Sequence, residues 1–277
     1  MPERKLGICE WEFPLPGIWG MEKARDMGIT GYQLTIGSYA RGLPLTDRLL
    51  QDAYLEQANR LSMEFPSLSM TPLMAFGLSN PWNSPKAQTA LALIQEGIRI
   101  CSHMHIPVMM LCSARDGEIC NEEHFQNTCR MLTKACDLAA DYGITIASEN
   151  LLDIQENLRL CRTIGRRNFG IFFDTQNPCQ AQGYHVPNMI RALGDHIVMV
   201  HLKDGVNRRN GSCLLGTGEN SFLESAGALN EISYSGYLIL ENSYASPPLV
   251  LNNLQNPLEL VQKDIKTVRQ LFIDNRS

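Results

Sequence analysis

From end to end the chain alternates between short unbroken apolar runs and longer segments whose apolar residues recur every three or four positions. Unbroken runs rich in Val, Ile and Phe read as strands buried on both faces, and the longer spacing reads as amphipathic helix. Eight runs fit the strand description: residues 5–11, 31–37, 65–70, 106–112, 144–150, 170–177, 197–204 and 237–242. Helix starts are legible between them. Thr46-Asp47 reads as an N-cap for the helix to Leu61, and Ser84-Pro85 as N-cap and first residue of one through Ile100. The clearest helix repeats Phe125, Cys129, Leu132, Cys136 and Ala139 at spacings of four and three. Further helices are expected near 153–165, 186–194 and 221–232, and a last one with Val261, Ile265, Val268 and Phe272 on one face. Eight strands in strict alternation with about eight helices predict a parallel sheet with helical crossovers, and eight units favour closure. The expected fold is an α/β, single-domain (β/α)8 TIM barrel over residues 1–277. An open dinucleotide-binding sheet would want G-x-G-x-x-G after the first strand, where this chain reads CEWEFPLPG.

Composition narrows the function. A length of 277 residues, 44% of them hydrophobic, suits one core of barrel size. The formal charge of −5 and a pI near 5.7 argue against a polyanionic partner, and no basic cluster exceeds Arg166-Arg167 or Arg208-Arg209. The opening MPERKLGICEWEF lacks the apolar run of a signal peptide, and no stretch approaches the roughly 20 apolar residues of a membrane span. Nine cysteines occur without a C-x-x-C; Cys101, Cys129, Cys136 and Cys161 sit on helical apolar faces or beside strands and read as reduced core thiols. The expectation is a cytoplasmic enzyme acting on a small molecule, with no nucleic-acid or membrane partner.

Where four of the strand runs stop, a metal-binding residue appears: Glu149 in ITIASEN, Asp174 in GIFFDTQN, His201 in IVMVHLKD and Glu241 in YLILEN. In a barrel the C-terminal strand ends form one rim, so these four residues should converge. Two glutamates, an aspartate and a histidine make a mixed oxygen and nitrogen donor set suited to one divalent ion: Mn²⁺, Mg²⁺, Co²⁺ or Zn²⁺. A lone acid at a strand end is also a common helix N-cap, a reading open for Asp174 taken singly. Glu149 and Glu241 stand three strands apart, an arrangement in which one carboxylate removes a proton beside a carbonyl and the other returns one.

These pieces, in this order, resemble the sugar phosphate isomerase/epimerase family of xylose-isomerase-like TIM barrels, which includes the tagatose and psicose 3-epimerases. The resemblance is carried by S-E-N at Glu149, F-D-T-x-N at Asp174, H-L-K-D at His201, G-T-G-E at Gly216 to Glu219 and L-E-N at Glu241. It covers essentially the whole chain. It implies that Glu149, Asp174, His201 and Glu241 hold one divalent metal, that Glu149 and Glu241 are the acid/base pair, and that the protein is a homodimer or homotetramer. The implied function is a metal-dependent isomerase or epimerase of a sugar or sugar phosphate, working by proton transfer alpha to a carbonyl. The ketose 3-epimerases have a substrate-contacting histidine three residues after the aspartate, where this chain has Asn177. Their arginine after H-L-K-D is matched loosely by Arg208 or Arg209.

Other residues have two readings. Lys203 and Asp204 either touch substrate or form an exposed ion pair or a partner orienting the histidine. Trp11, beside Glu10 at the end of the first strand, either walls the pocket or is core, and Gln33 near the second strand is similarly placed. The candidate substrate contacts are thus Asn177, Lys203, Trp11 and Arg208. Cys101, His103 and His105 fall at a helix-to-strand junction on the rim away from the predicted site. Gly216, Gly218 and Glu219 read as a tight loop entering the next helix rather than a phosphate loop. Rival chemistries on the same metal site are a ketoinositol-type dehydratase and an isomerase using a hydride shift. An apurinic-site endonuclease would need a histidine-rich three-metal cluster, and only His201 among six histidines ends a motif strand. A non-catalytic sugar-binding barrel would have little use for two opposed glutamates.

Overall fold

The computed structural model describes residues 4–250 and 256–274. Eight strands are ordered β1 to β8 around a closed parallel barrel. They are β1 Leu6–Cys9, β2 Gly31–Thr35, β3 Ser67–Ser69, β4 Val108–Cys112, β5 Thr145–Glu149, β6 Phe169–Asp174, β7 Ile197–Leu202 and β8 Leu238–Leu240. Between and after them run α1 Ile18–Asp26, α2 Arg48–Leu61, α3 Pro85–Met104, α4 Glu122–Ala139, α5 Ile154–Ile164, α6 Asn177–Gln182, α7 Val186–Leu193, α8 Phe222–Glu231 and α9 Pro257–Arg269.

Two compact units are distinguished within the chain: Gln33–Phe172, and the residues up to Tyr32 together with those from Phe173 onward. In the middle unit β4 is flanked by β3 and β5, with Leu68 opposite Met109 and Met109 opposite Ile146. Every residue of β4 is buried, as strands covered on both faces require. Helix α3 carries Gly97 against that sheet; a Cβ there would lie 2.7 Å from the sulfurs of Met70 and Met109, so any larger residue would have to push those side chains aside. In the other unit β8 is flanked by β1 and β7, with Ile8 and Leu202 both opposite Leu240. The aromatic pair Phe13 and Tyr32 packs edge to face at 6.4 Å beneath.

Helix starts follow the sequence. Asp47 caps α2 by accepting from Leu49 N, Ser84 caps α3 from Ala87 N with Pro85 first, and Asp153 with Glu156 forms a capping box on α5. Four expectations need correction. Strand β1 ends at Cys9, because the chain turns as Glu12 N and Phe13 N both bond Cys9 O, so Glu10 and Trp11 lie past the strand. Gln33 is not at a strand end; it is wholly buried within β2, its amide against Met110. The helical pattern near Ile100 continues to Met104. Phe272 lies beyond α9, in a wide turn over Gln270–Asp274, although it is still buried. Helix α6 was not anticipated at all, since six residues are too few to display a period.

Candidate active site

Asp174 closes β6 and its two oxygens do different work. Oδ1 accepts the amides of Gln176 and Asn177, both at 2.7 Å, and so starts α6 in the manner of a helix cap. Oδ2 is buried and points the other way, 2.9 Å from Lys203 Nζ. The capping reading of Asp174 thus describes Oδ1, while Oδ2 stays turned toward Lys203. Thr175 binds the next strand: its hydroxyl donates to Lys203 O and accepts from Lys203 N, at 2.8 and 2.9 Å. That double bond pair sets the end of β7 level with the end of β6.

His201, with no exposed surface, is the penultimate residue of β7. Its Nδ1 lies 3.0 Å from Glu241 Oε2, and its Nε2 lies 3.6 Å from the thiol of Cys9. Glu241 follows β8 directly, and its amide donates to Leu202 O. Lys203 Nζ sits 2.6 Å from Glu241 Oε2, so one buried ammonium touches two carboxylates. Asp174 Oδ2 and Glu241 Oε2 nevertheless receive no hydrogen bond of good direction. The closeness fixes the electrostatics; the poor angles leave both oxygens with coordinating capacity. Burial pushes the Glu241 carboxyl up, but His201 and Lys203 against it outweigh that and hold the group well below the usual range. Lys203 is thus a buried ion-pair partner rather than an exposed one.

The ligand atoms of Glu149, Asp174, His201 and Glu241 all lie within 4.8 Å of one another. Behind Glu149 the turn into α5 is pinned by Asn150, whose amide donates to Ser148 Oγ and Asn157 Oδ1 while its carbonyl accepts from Leu152 N. Three carboxylates and an imidazole, partly balanced by one ammonium and with two buried oxygens poorly bonded, fit a divalent cation.

The proposed substrate contacts are placed unequally. Trp11 meets the His201 ring edge-on at 6.3 Å, beside the site. Asn177 opens α6 with its side-chain oxygen 3.5 Å from Lys203 Nζ. Arg208 is exposed, donates to Gln180 O at 3.0 Å, and lines a cavity of about 380 Å³ with Gln176, Gln180, Glu219 and Asn220. Asp204 is buried. Its carboxylate accepts from the amides of Gly205, Gly216 and Gly218 and from the Asn220 side chain, folding the 205–220 loop around itself. Gly218 passes so close that a Cβ would sit 2.1 Å from Asp204 Oδ1. His103 pairs with Asp52 at 2.7 Å on the outside of α3.

Two residues of the site escaped sequence reasoning. Cys9 is fully buried against His201, and burial drives its thiol pKa far upward. Glu12, in the turn after β1, has its carboxyl pushed up to about 7 by burial first and by the charge of Glu241 next, with Ser243 and Lys203 opposing. A run ending C-E-W-E-F offers three polar candidates, and only the turn geometry selects among them.

The sequence profile of the family described as "Xylose isomerase-like TIM barrel" matches residues 21–271. A 2-epi-5-epi-valiolone 7-phosphate 2-epimerase from an Actinoplanes species is 26% identical over 242 residues, covering 87% of each chain. D-psicose 3-epimerase from Clostridium cellulolyticum has the same fold with a TM-score of 0.77 at 15% identity, over 96% of this chain and 99% of that one. A 3-keto-D-glucoside 4-epimerase from E. coli superposes with a TM-score of 0.74 at 12% identity, over 97% and 100% of the two chains. With a closed eight-stranded barrel and a family match running from α1 to the turn after α9, the chain belongs to the xylose isomerase-like TIM barrel family.

Proposed function

We propose that this chain, as one domain over residues 1–277, is a metal-dependent isomerase or epimerase of a sugar or sugar phosphate. The observation that carries the reading is the grouping of Glu149, Asp174, His201 and Glu241 within 4.8 Å at the ends of β5 to β8. Asp174 and His201 would serve mainly as ligands, and Glu149 and Glu241 would share that task with proton transfer. A bound divalent ion supplies positive charge that polarises the substrate carbonyl and lowers the acidity barrier of the adjacent carbon. Glu241 is held ionised by His201 and Lys203, which suits a group that accepts the proton. Glu149, three strands away in the barrel order, delivers a proton from another direction, and inversion at the carbon follows from the change of face. Lys203 and Asn177 are placed to meet substrate oxygens, Trp11 to cover one side, and Arg208 to reach a distal group. The relative named as a 2-epi-5-epi-valiolone 7-phosphate 2-epimerase, and the sugar epimerases that share the fold, support this chemistry. We read the protein as a cytoplasmic homodimer or homotetramer with Mn²⁺, Mg²⁺, Co²⁺ or Zn²⁺.

Turnover of ketoses, ketose phosphates and inososes in D₂O with Mn²⁺ tests the reaction class. A true substrate should acquire deuterium at the reacting carbon. Glu149→Gln and Glu241→Gln should each lose roughly 10²- to 10⁴-fold in activity, the usual share of a general acid or base. Near-normal activity in both variants would refute the two-glutamate mechanism. Loss of water from the product would move the assignment to a dehydratase, and turnover without deuterium would move it to a hydride shift.

A further inference from the structure

We propose that Cys9 is a positioning residue for His201: its thiol meets the far side of the imidazole and lets Nδ1 be offered to a cation. This rests on the metal reading above. The two nitrogens of His201 face different partners, with Nδ1 3.0 Å from Glu241 Oε2 and Nε2 3.6 Å from Cys9 Sγ. Both side chains are fully buried, so water does not exchange freely with either contact. The register explains the meeting. Ile8, Leu240 and Leu202 lie side by side, so the next residues, Cys9, Glu241 and Lys203, share one level of the barrel. Side chains two apart on a strand share a face, which puts His201 one layer below Cys9 with its ring reaching upward.

A neutral imidazole carries one proton. For Nδ1 to present a lone pair to a metal, that proton must reside on Nε2, and the group against Nε2 decides how stable this tautomer is. Metal-bound histidines usually give that N–H to a carboxylate or a carbonyl, which can only accept. A thiol can accept weakly or donate weakly. Without a cation, S–H can point at Nε2 while Nδ1–H faces the Glu241 carboxylate 3.0 Å away. With a cation at Nδ1, the thiol rotates and Nε2–H donates to sulfur. One buried side chain thereby serves both tautomers with no movement of the ring.

The test uses Cys9→Ala and Cys9→Ser in the full-length protein, with thermal melts confirming the fold. Mn²⁺ affinity is measured by titration, and the His201 tautomer by ¹⁵N NMR with and without Zn²⁺. Outer partners of metal-bound histidines are typically worth 10- to 100-fold in affinity. Cys9→Ala should lose about 10-fold or more and should alter the metal-free tautomer. Cys9→Ser, whose hydroxyl also donates and accepts, should stay within a few-fold of wild type and preserve the tautomer change on Zn²⁺ binding. Unchanged affinity and unchanged imidazole signals in Cys9→Ala would overturn the inference. If the wild-type protein binds neither ion, the metal reading itself falls; an Ala-induced change in the metal-free tautomer would still distinguish that failure from a failure of the Cys9 role.

Discussion

Lys203 shows most plainly how a single residue balances this site. Its ammonium lies within 3 Å of Asp174 and Glu241 and has only 8% of its side chain exposed, so it neutralises two carboxylates where water cannot. Removing one member of a buried ion pair commonly costs roughly 3–5 kcal/mol, because the partner charge stays behind uncompensated. We expect Lys203→Met to melt well below wild type in EDTA and to regain more stability than wild type when Mn²⁺ is added. A variant that melts like wild type and shows no larger response to Mn²⁺ would count against both the charge balance and the ion. The four strand-end residues were legible in the sequence because a parallel strand announces its own end: the apolar run stops and chemistry begins. Lys203 was visible only as a neighbour of His201, since nothing in H-L-K-D states that the lysine turns inward. Cys9 was less legible still, because a cysteine in an apolar run looks like any other small buried residue.

Among elements, α9 shows how one buried acid can tie distant segments together. Asp264 on α9 is fully buried and accepts from Leu215 N, the Asn242 side chain and the Tyr244 hydroxyl at 2.9, 2.8 and 2.7 Å. Asn242 in turn accepts from Asp204 N, so one carboxylate ties α9 to the residues following both β7 and β8. Burial is the largest influence on Asp264 and lifts its carboxyl to about 6 against three opposing hydrogen bonds. An unfolded aspartate titrates near 3.9, so the native state holds this proton more tightly. Its stabilising contribution is full below about pH 4 and is lost as pH rises through about 6, by up to roughly 3 kcal/mol. Stability measured from pH 4 to 7 should therefore decline more for wild type than for Asp264→Asn. Parallel pH profiles of the two proteins would refute this. None of the network was legible beforehand: the helix face was marked by Val261, Ile265 and Val268, and an acid beside them reads as solvent-facing until the fold brings residues 204, 215 and 242 around it. Caps were legible for a complementary reason, since Asp47 and Ser84 act within three residues of themselves.

For the molecule as a whole, the alternation of eight apolar runs with helical segments was enough to anticipate the barrel, because each helical crossover sets the next strand parallel beside the last. No helix among the described residues is long and apolar enough to cross a membrane. The homodimer or homotetramer we propose predicts a light-scattering mass of two or four times that of the chain; a monomer at micromolar concentration would contradict it while leaving the barrel untouched. The loop after β7 carries a larger consequence. Its glycines have the look of a seat for a phosphate, yet the Gly205, Gly216 and Gly218 amides already converge on Asp204, an anion the chain brings with it. A phosphorylated substrate would find that seat taken. Its charged end must be met elsewhere, and changing Asp204 to a residue without an anionic group would open a vacant anion nest in the wall of the barrel mouth.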